Sequence, residues 1–181
     1  LSFKSLFGVN HNTAQGRNLT FIEQANAQRA TINSYSESNN MTIQWNWSNT
    51  LEYRKIFGDI HDLTVLLGTE AIENNFRQNS AGRQGYFLTT PDFFQLDAGT
   101  TNQVNDGNSS SWALFSMFGR LNYQLADKYL LEAVVRRDAS SRFGADNNVG
   151  VFPAVSVGWR ISEESFMDFS ENWLNLLKVR A

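Results

Sequence analysis

The chain has 181 residues, a formal net charge of −3 and no cysteine, so it offers no basic surface for nucleic acid and no disulfide or Cys-ligated metal site. Charged residues make up 18 % of it, below the roughly 25 % of soluble domains. With a mean hydropathy of −0.38 and no long apolar run, a transmembrane helix is excluded. A transmembrane β-barrel is not excluded, because half of each barrel strand faces water.

The first predicted element is a strand over residues 1–10, where apolar Leu1, Phe3 and Phe7 alternate with polar residues. Residues 11–40 are polar and rich in Asn, Gln, Ser and Ala. They predict a long loop, with room for a short helix around residues 21–29.

The second predicted strand, residues 41–57, alternates without losing register. Seven of its nine odd residues are apolar or aromatic, and seven of its eight even residues are polar. Period two indicates a β-strand with one apolar and one wet face. Its length is about three times the usual 5–6 residues, which is typical of a wall between lipid and water.

The rest of the chain repeats this alternation of strands and connections, and the strand at 149–162 is the cleanest of the shorter ones. The predicted elements are a turn at 58–62, a strand at 63–76, a loop at 77–111, a strand at 112–125, a turn at 126–127, a strand at 128–137, a loop at 138–150, a strand at 149–162, helical turns within 163–173, and a strand at 176–181 that is cut soon after it begins.

These elements predict an all-β fold: an antiparallel meander of about six complete strands and a truncated seventh, forming part of a large transmembrane β-barrel. Barrels have short periplasmic turns and long outer loops, so the loops at 11–40, 77–111 and 138–150 are expected outside the cell. The alternative is a soluble β-sandwich, which the strand length argues against. Both ends look truncated, so we expect the sheet not to close on itself.

No catalytic set, metal site or cofactor motif is present in the sequence. His11 and His61 are isolated, and no serine has a partnered histidine or a Gly-x-Ser-x-Gly frame.

Charged residues at even positions are expected to face the lumen, because a lipid-facing arginine near the midplane costs about 2–4 kcal/mol. Cross-strand pairing is the favoured role, and lining a solute path or contacting an internal plug is the alternative. We predict Arg120 directly opposite Glu132 across the hairpin at Ala126. The full set is Glu52, Arg54, Glu70, Arg120, Glu132, Arg136 and Arg160.

Aromatic residues in or beside the second loop form another candidate set. They could stack on a sugar or peptide ligand as outer-loop or lid contacts, but a small core that holds the loop in shape is the favoured interpretation. The set is Tyr86, Phe87, Phe93, Phe94 and Trp112.

Several motifs resemble, in the right order, the mid-to-late barrel of SusC/RagA-type TonB-dependent transporters of Bacteroidetes outer membranes. LLGTE at 66–70 fits the same family less specifically. The stronger motifs are SMFGRLNY at 116–123, KYLL at 128–131, RRDASSRFG at 136–144, FPAVSVGWRISEESF at 152–166 and LLKVRA at 176–181.

The resemblance implies a 22-stranded barrel with an N-terminal plug in the bacterial outer membrane, of which residues 1–181 would be one part without plug or C-terminal strand. It also implies energy from the TonB complex, a SusD-like surface lipoprotein partner, and uptake of oligosaccharides or peptides. The alternative function is a structural or binding barrel, such as an adhesin. A barrel enzyme is the third option and lacks a catalytic set here.

Overall fold

The computed structural model describes residues 1–22, 32–88, 90–144, 146–170 and 173–181. Seven strands form one sheet in sequence order, with β1 and β7 as its two edges. The antiparallel meander is therefore confirmed, and so is the expectation that the sheet does not close on itself. The strands are β1 Ser2–Thr20, β2 Ser34–Phe57, β3 His61–Gln84, β4 Thr101–Leu125, β5 Tyr129–Ser140, β6 Val149–Arg160 and β7 Lys178–Arg180.

The other described elements are short 3₁₀ turns at Pro91–Phe93, Leu96–Ala98, Ile161–Glu163 and Ser165–Ser170. Ser165–Ser170 lies within the range 163–173 where helical turns were predicted, and Ile161–Glu163 comes just before it. The helix predicted around residues 21–29 falls mostly outside the described residues. Among those described, no helix is long and apolar enough to cross a membrane.

The chain divides into two compact units. The first contains Leu1–Gly8, Asn46–Glu73 and Trp112–Ala181; the second contains Val9–Trp45 and Asn74–Ser111.

In the first unit, alternate residues carry the large apolar side chains on one face of the sheet. They are exposed to an unusual degree for apolar groups: Val155 is 70 % and Val151 58 % exposed. Such a continuous apolar face belongs against lipid. Its members include Phe3, Phe7, Leu51, Leu67, Met117, Val135, Val151, Val155, Val157, Trp159 and Val179.

The second unit shows where the predicted strand boundaries were wrong. The structure continues β1 to Thr20, begins β2 at Ser34, continues β3 to Gln84 and begins β4 at Thr101. The predicted loops at 11–40 and 77–111 are therefore largely strand. Side chains on both faces of these strand segments are mostly polar, so the alternation that marks a half-buried strand is missing although the ladder continues.

A small core of three rings organises the second unit. Tyr35, Tyr86 and Phe94 are 3 %, 6 % and 5 % exposed, and Leu19 and Leu96 pack against them. The rings of Tyr86 and Phe94 stack with centroids 4.7 Å apart. Tyr86 and Phe94 belong to the 85–100 connection, so the core packs part of that connection against Tyr35.

The hairpin between β4 and β5 corrects the predicted register. Arg120 lies opposite Val134, and Glu132 lies opposite Asn122, so the predicted direct Arg120–Glu132 pair is wrong. The reason is the turn: Ala126 and Asp127 both have positive φ, and Leu125 pairs with Tyr129. The turn is centred on Asp127 instead of Ala126, so each β4 residue pairs with a β5 residue two positions later than predicted, and both charges stay on the same face.

Candidate functional site: the polar wall

The polar face of the first unit is centred on Arg136. Its Nε donates to Asp138 Oδ1 at 2.7 Å, and its Nη2 donates to Glu70 Oε2 at 3.1 Å and to Ser116 Oγ at 3.0 Å. The guanidinium also lies 5.6 Å from the centroid of the Phe118 ring. Strands β3, β4 and β5 are thus joined by one cation.

Strand register explains why these groups meet. Phe118 is directly opposite Arg136, and Ser116 is directly opposite Asp138. Residues two apart on a strand share a face, so both pairs stand side by side. Ser116 is fully buried, which places its hydroxyl where a hydrogen-bond partner is needed.

A broad groove lies on the same face, nearer the 58–60 and 126–128 turns, with a volume of about 690 Å³. At one side Arg54 makes a bidentate pair with Asp62, Nε to Oδ1 at 3.0 Å and Nη2 to Oδ2 at 2.6 Å. The groove's polar lining includes Glu52, Arg54, Asp62, Thr64, Arg120, Asn122, Gln124, Glu132, Ser156, Lys178 and Arg180.

The seven charges predicted from sequence therefore fall into three places. Arg136 and Glu70 form an ion pair, while Glu52, Arg54, Arg120 and Glu132 line the groove. Arg160 ends β6 directly opposite Lys178, which lines the groove, but is not itself among the groove's lining residues.

Sequence reasoning missed one partner of these charges. Asp62 was assigned to a turn, whereas it is the acid that Arg54 binds. Asp138 was assigned to a loop but lies within β5, two residues after Arg136 and on the same face, where the two side chains pair.

The five aromatic candidates do not form one cluster. Tyr86 and Phe94 belong to the small core, whereas Phe87 is 94 % and Phe93 54 % exposed. Trp112 lies in β4, where the Arg142 guanidinium sits 4.3 Å from its ring centroid.

The core is fastened by Asn33, which the sequence did not single out. Asn33 is 2 % exposed; its Nδ2 donates to the Tyr86 carbonyl at 2.7 Å, and its Oδ1 accepts from the Tyr86 amide at 2.8 Å. Burial also raises the pKa of Tyr86 and of Tyr35, so both phenols stay neutral.

A second anchoring group is Glu164, in the 161–177 connection. Its Oε1 accepts from Tyr129 at 2.7 Å and from the Trp159 indole at 3.0 Å, and its Oε2 accepts from Lys128 Nζ at 3.1 Å. These bonds, with that of Tyr129 the strongest influence, lower the pKa of Glu164 below its ordinary value.

No group of three or more His, Asp or Glu side chains within the described ranges could hold a metal ion. The polar wall can bind charged and hydroxyl-bearing groups through arginines, carboxylates and amides.

In the first unit, one face of the sheet is apolar and the other is charged. The whole chain matches a known protein family. The family profile described as "TonB dependent receptor-like, beta-barrel" matches residues 1–181. The chain belongs to the TonB-dependent receptor family. The resemblance to SusC/RagA-type barrels is thereby confirmed, as is placement of this segment in a bacterial outer-membrane β-barrel.

Individual relatives agree. A TonB-dependent receptor of Formosa agariphila is 33 % identical over all of this chain, and the TonB-dependent receptor SusC of Bacteroides thetaiotaomicron is 35 % identical over 84 % of it. The alignments cover 17 % and 16 % of those receptors, so the segment is a small part of such a protein. These relatives are receptors rather than enzymes.

Solved structures share the fold. The structure titled "Structure of the RagAB peptide transporter" superimposes with a TM-score of 0.87 at 25 % identity, covering 98 % of this chain and 20 % of the other. The RagAB peptide importer in its "open-open" state gives a TM-score of 0.86 at 24 % identity.

Proposed function

We propose that this segment is part of the barrel wall of an importer that takes up oligosaccharides or peptides across the outer membrane. In this proposal the TonB complex supplies the energy, a plug fills the barrel, and a SusD-like surface lipoprotein binds on the outside. The observation that carries the proposal is the division of the first unit into an apolar face and a face bearing the Arg136 cluster and the charged groove.

The apolar face supports a lipid-facing role for one side, so the charged side is assigned to the lumen. A lumen lined by Arg54, Glu132 and Ser156 offers hydrogen bonds to a plug or to a polar solute. We assign pairing to Arg136, whose Nε and Nη2 bond to groups on three strands. We assign contact with plug or solute to the groove, where the Arg54 side chain is 61 % exposed against 37 % for Arg136.

One name among the solved structures supports the substrate class, since RagAB is called a peptide transporter. A charged, amide-rich wall suits both peptides and oligosaccharides, which are recognised through backbone or hydroxyl hydrogen bonds.

Uptake by cells is the direct test. A strain lacking the full-length receptor gene, and the same strain with the gene restored, would be grown on oligosaccharides or on peptides as the only carbon source. We expect growth on one of these to require the receptor and to stop with a proton ionophore. Growth that depends on neither would overturn the proposal and favour a structural or adhesive barrel.

The lumen assignment has its own test, since the segment has no cysteine. In an otherwise cysteine-free full-length receptor, Ser156→Cys should react with a charged, water-soluble maleimide, and Val155→Cys should not. Equal labelling of both would contradict the assignment of faces.

Contact with the solute is tested by substituting two neighbouring basic residues of β2, Arg54 and Lys55, which lie on opposite faces of the sheet. Arg54→Gln should lower uptake several-fold, whereas Lys55→Gln should leave it unchanged at equal surface amounts. Equal uptake by both variants would remove the groove from the solute path without affecting the wall itself.

A further inference from the structure

The apolar face carries a groove that the transport proposal does not use. It has a volume of about 520 Å³ and is lined mostly by side chains that point away from the charged wall. One end of it carries a cation, Arg137. Its apolar lining includes Phe3, Leu51, Leu67, Met117, Gly119 and Val135.

Gly119 forms the floor of this groove. It lies directly opposite Val135 in the β4–β5 pair. A Cβ built at Gly119 would be 3.5 Å from Leu67 Cδ2 and 3.8 Å from Val135 Cγ1, which are ordinary contacts. A small side chain would therefore fit, and a larger one would fill the groove, so the depression exists because this position lacks a side chain.

Arg137 is out of place on this face. Its direct neighbours across the sheet are Met117 and Val151, its side chain is exposed, and no described residue forms an ion pair with it. An unpaired arginine facing hydrocarbon costs about 2–4 kcal/mol at the midplane and about 0–1 near the interface.

The position of Arg137 near the end of β5 keeps this free-energy cost low. β5 starts at Tyr129 beside the short 126–128 turn and ends at Ser140, and a spanning strand needs about 9–11 residues. Arg137 is therefore near the far interface, on the side of the longer 141–148 connection, where its guanidinium can reach headgroups by snorkelling.

We infer that this groove binds a phosphate-bearing lipid of the outer leaflet, with an acyl chain lying over Gly119 and the phosphate at Arg137. A guanidinium matches phosphate oxygens with two parallel hydrogen bonds. Because Arg137 and the apolar residues line the same groove, an amphiphile fits it better than free phosphate. The inference depends on the membrane location of the barrel and not on the transported solute.

The test uses the full-length receptor in mild detergent, titrated with monophosphorylated lipid A or with the same lipid after phosphate removal, and bound lipid is counted by native mass spectrometry. We expect Arg137→Gln to weaken binding of the phosphorylated lipid on the order of tenfold, as for one lost charge-assisted contact. Arg137→Lys should retain most of it.

Gly119→Leu tests the acyl-chain part of the groove separately from the phosphate. It should weaken binding of both lipids alike, because it blocks the acyl chain, and Gly119→Ala should bind as the unmodified receptor does. Folding is checked by the electrophoretic mobility of the unheated barrel. Unchanged binding in Arg137→Gln, or equal loss of both lipids in that variant, would overturn the inference and leave only non-specific lipid association.

Discussion

Arg136 links three strands through one guanidinium. Its partners, Glu70 on β3, Ser116 on β4 and Asp138 on β5, place acceptors around a cation on the polar wall. Such charge-assisted bonds are shorter and stronger than neutral ones. Because the Arg136 side chain is 37 % exposed, solvent screening reduces their contribution.

Arg136→Gln should lower the stability of the folded receptor by about 1 kcal/mol, since two carboxylates lose their cation in a partly screened site. Arg120→Gln is the matched control, because Arg120 is exposed on the same face and no described residue forms an ion pair with it. Thermal unfolding followed by electrophoretic mobility would measure both. Equal losses would show that the hydrogen bonds of Arg136 add nothing.

Glu164 binds the polar tips of Tyr129 and Trp159, whose rings lie on the apolar face. The Phe166 ring then packs edge-on against Trp159, with centroids 6.5 Å apart. The carboxylate therefore fixes the 161–177 connection to the aromatic border of the sheet.

Glu164→Gln should lower the unfolding temperature at neutral pH. Its folded-state pKa is depressed below 4.5, so the stabilisation is present above the unfolded-state pKa and is lost as pH falls through the folded one. The difference between the two proteins should shrink below about pH 4. Glu163→Gln is the control at an exposed neighbour; a pH-independent difference for Glu164→Gln would contradict the argument.

At the level of the strand, β6 separates its two faces residue by residue. Val155 lies opposite Ala133 on the apolar side, and Ser156 lies opposite Glu132 on the polar side. These two neighbouring residues therefore face different surroundings, lipid at Val155 and water at Ser156.

Val155→Arg should block assembly, since a lipid-facing arginine in mid-strand costs about 2–4 kcal/mol, whereas Ser156→Arg gains Glu132 as a neighbour and should assemble. The amount of folded receptor at the cell surface measures both. Comparable surface amounts would reverse the assignment of faces in β6.

The 85–100 connection contains adjacent phenylalanines with different surroundings. Phe94 is 5 % exposed in the small core, and Phe93 is 54 % exposed. Substituting each of them in turn therefore compares a core position with a surface position in the same connection.

Phe94→Ala should destabilise the connection by about 3 kcal/mol, the lower end for a buried phenylalanine, and Phe93→Ala by less than about 0.5 kcal/mol. The measurement is the rate of cleavage at Asp92 and Asp97 by a protease that cuts at aspartate. We expect this rate to be faster in Phe94→Ala than in Phe93→Ala. If both variants cut at the same rate, the ring cluster does not hold the connection.

The faces of the strands could be predicted from sequence because lipid imposes period two on residues such as Val151, Val155 and Val157. The extension of β2 to Ser34 could not, because residues with water on both sides need no alternation. The β4–β5 register was missed by two because positive φ at Ala126 and Asp127 is a backbone choice that residue type does not announce. The ion pair between Arg54 and Asp62 was missed because residue 62 was placed in a turn.

For the molecule as a whole, the sheet ends in two edges, β1 and β7. Unpaired strand edges attract further strands, and in the family the rest of the barrel supplies them.

The 181-residue segment expressed alone should therefore aggregate instead of inserting as a folded barrel, while the full-length receptor inserts into detergent or lipid. Light scattering and the mobility shift of unheated samples distinguish the two. A monodisperse, heat-modifiable segment would mean that these seven strands close by themselves, contrary to the order found here.

The polar strand segments 34–40, 77–84 and 101–111 are paired strands of the sheet. They lie beside the long connections, on the side that is expected outside the cell. Antibodies and phage tail proteins reaching that surface would meet a pleated conformational epitope assembled from three distant parts of the chain. Antisera raised against linear peptides from these segments should consequently stain denatured receptor on a blot and fail on living cells.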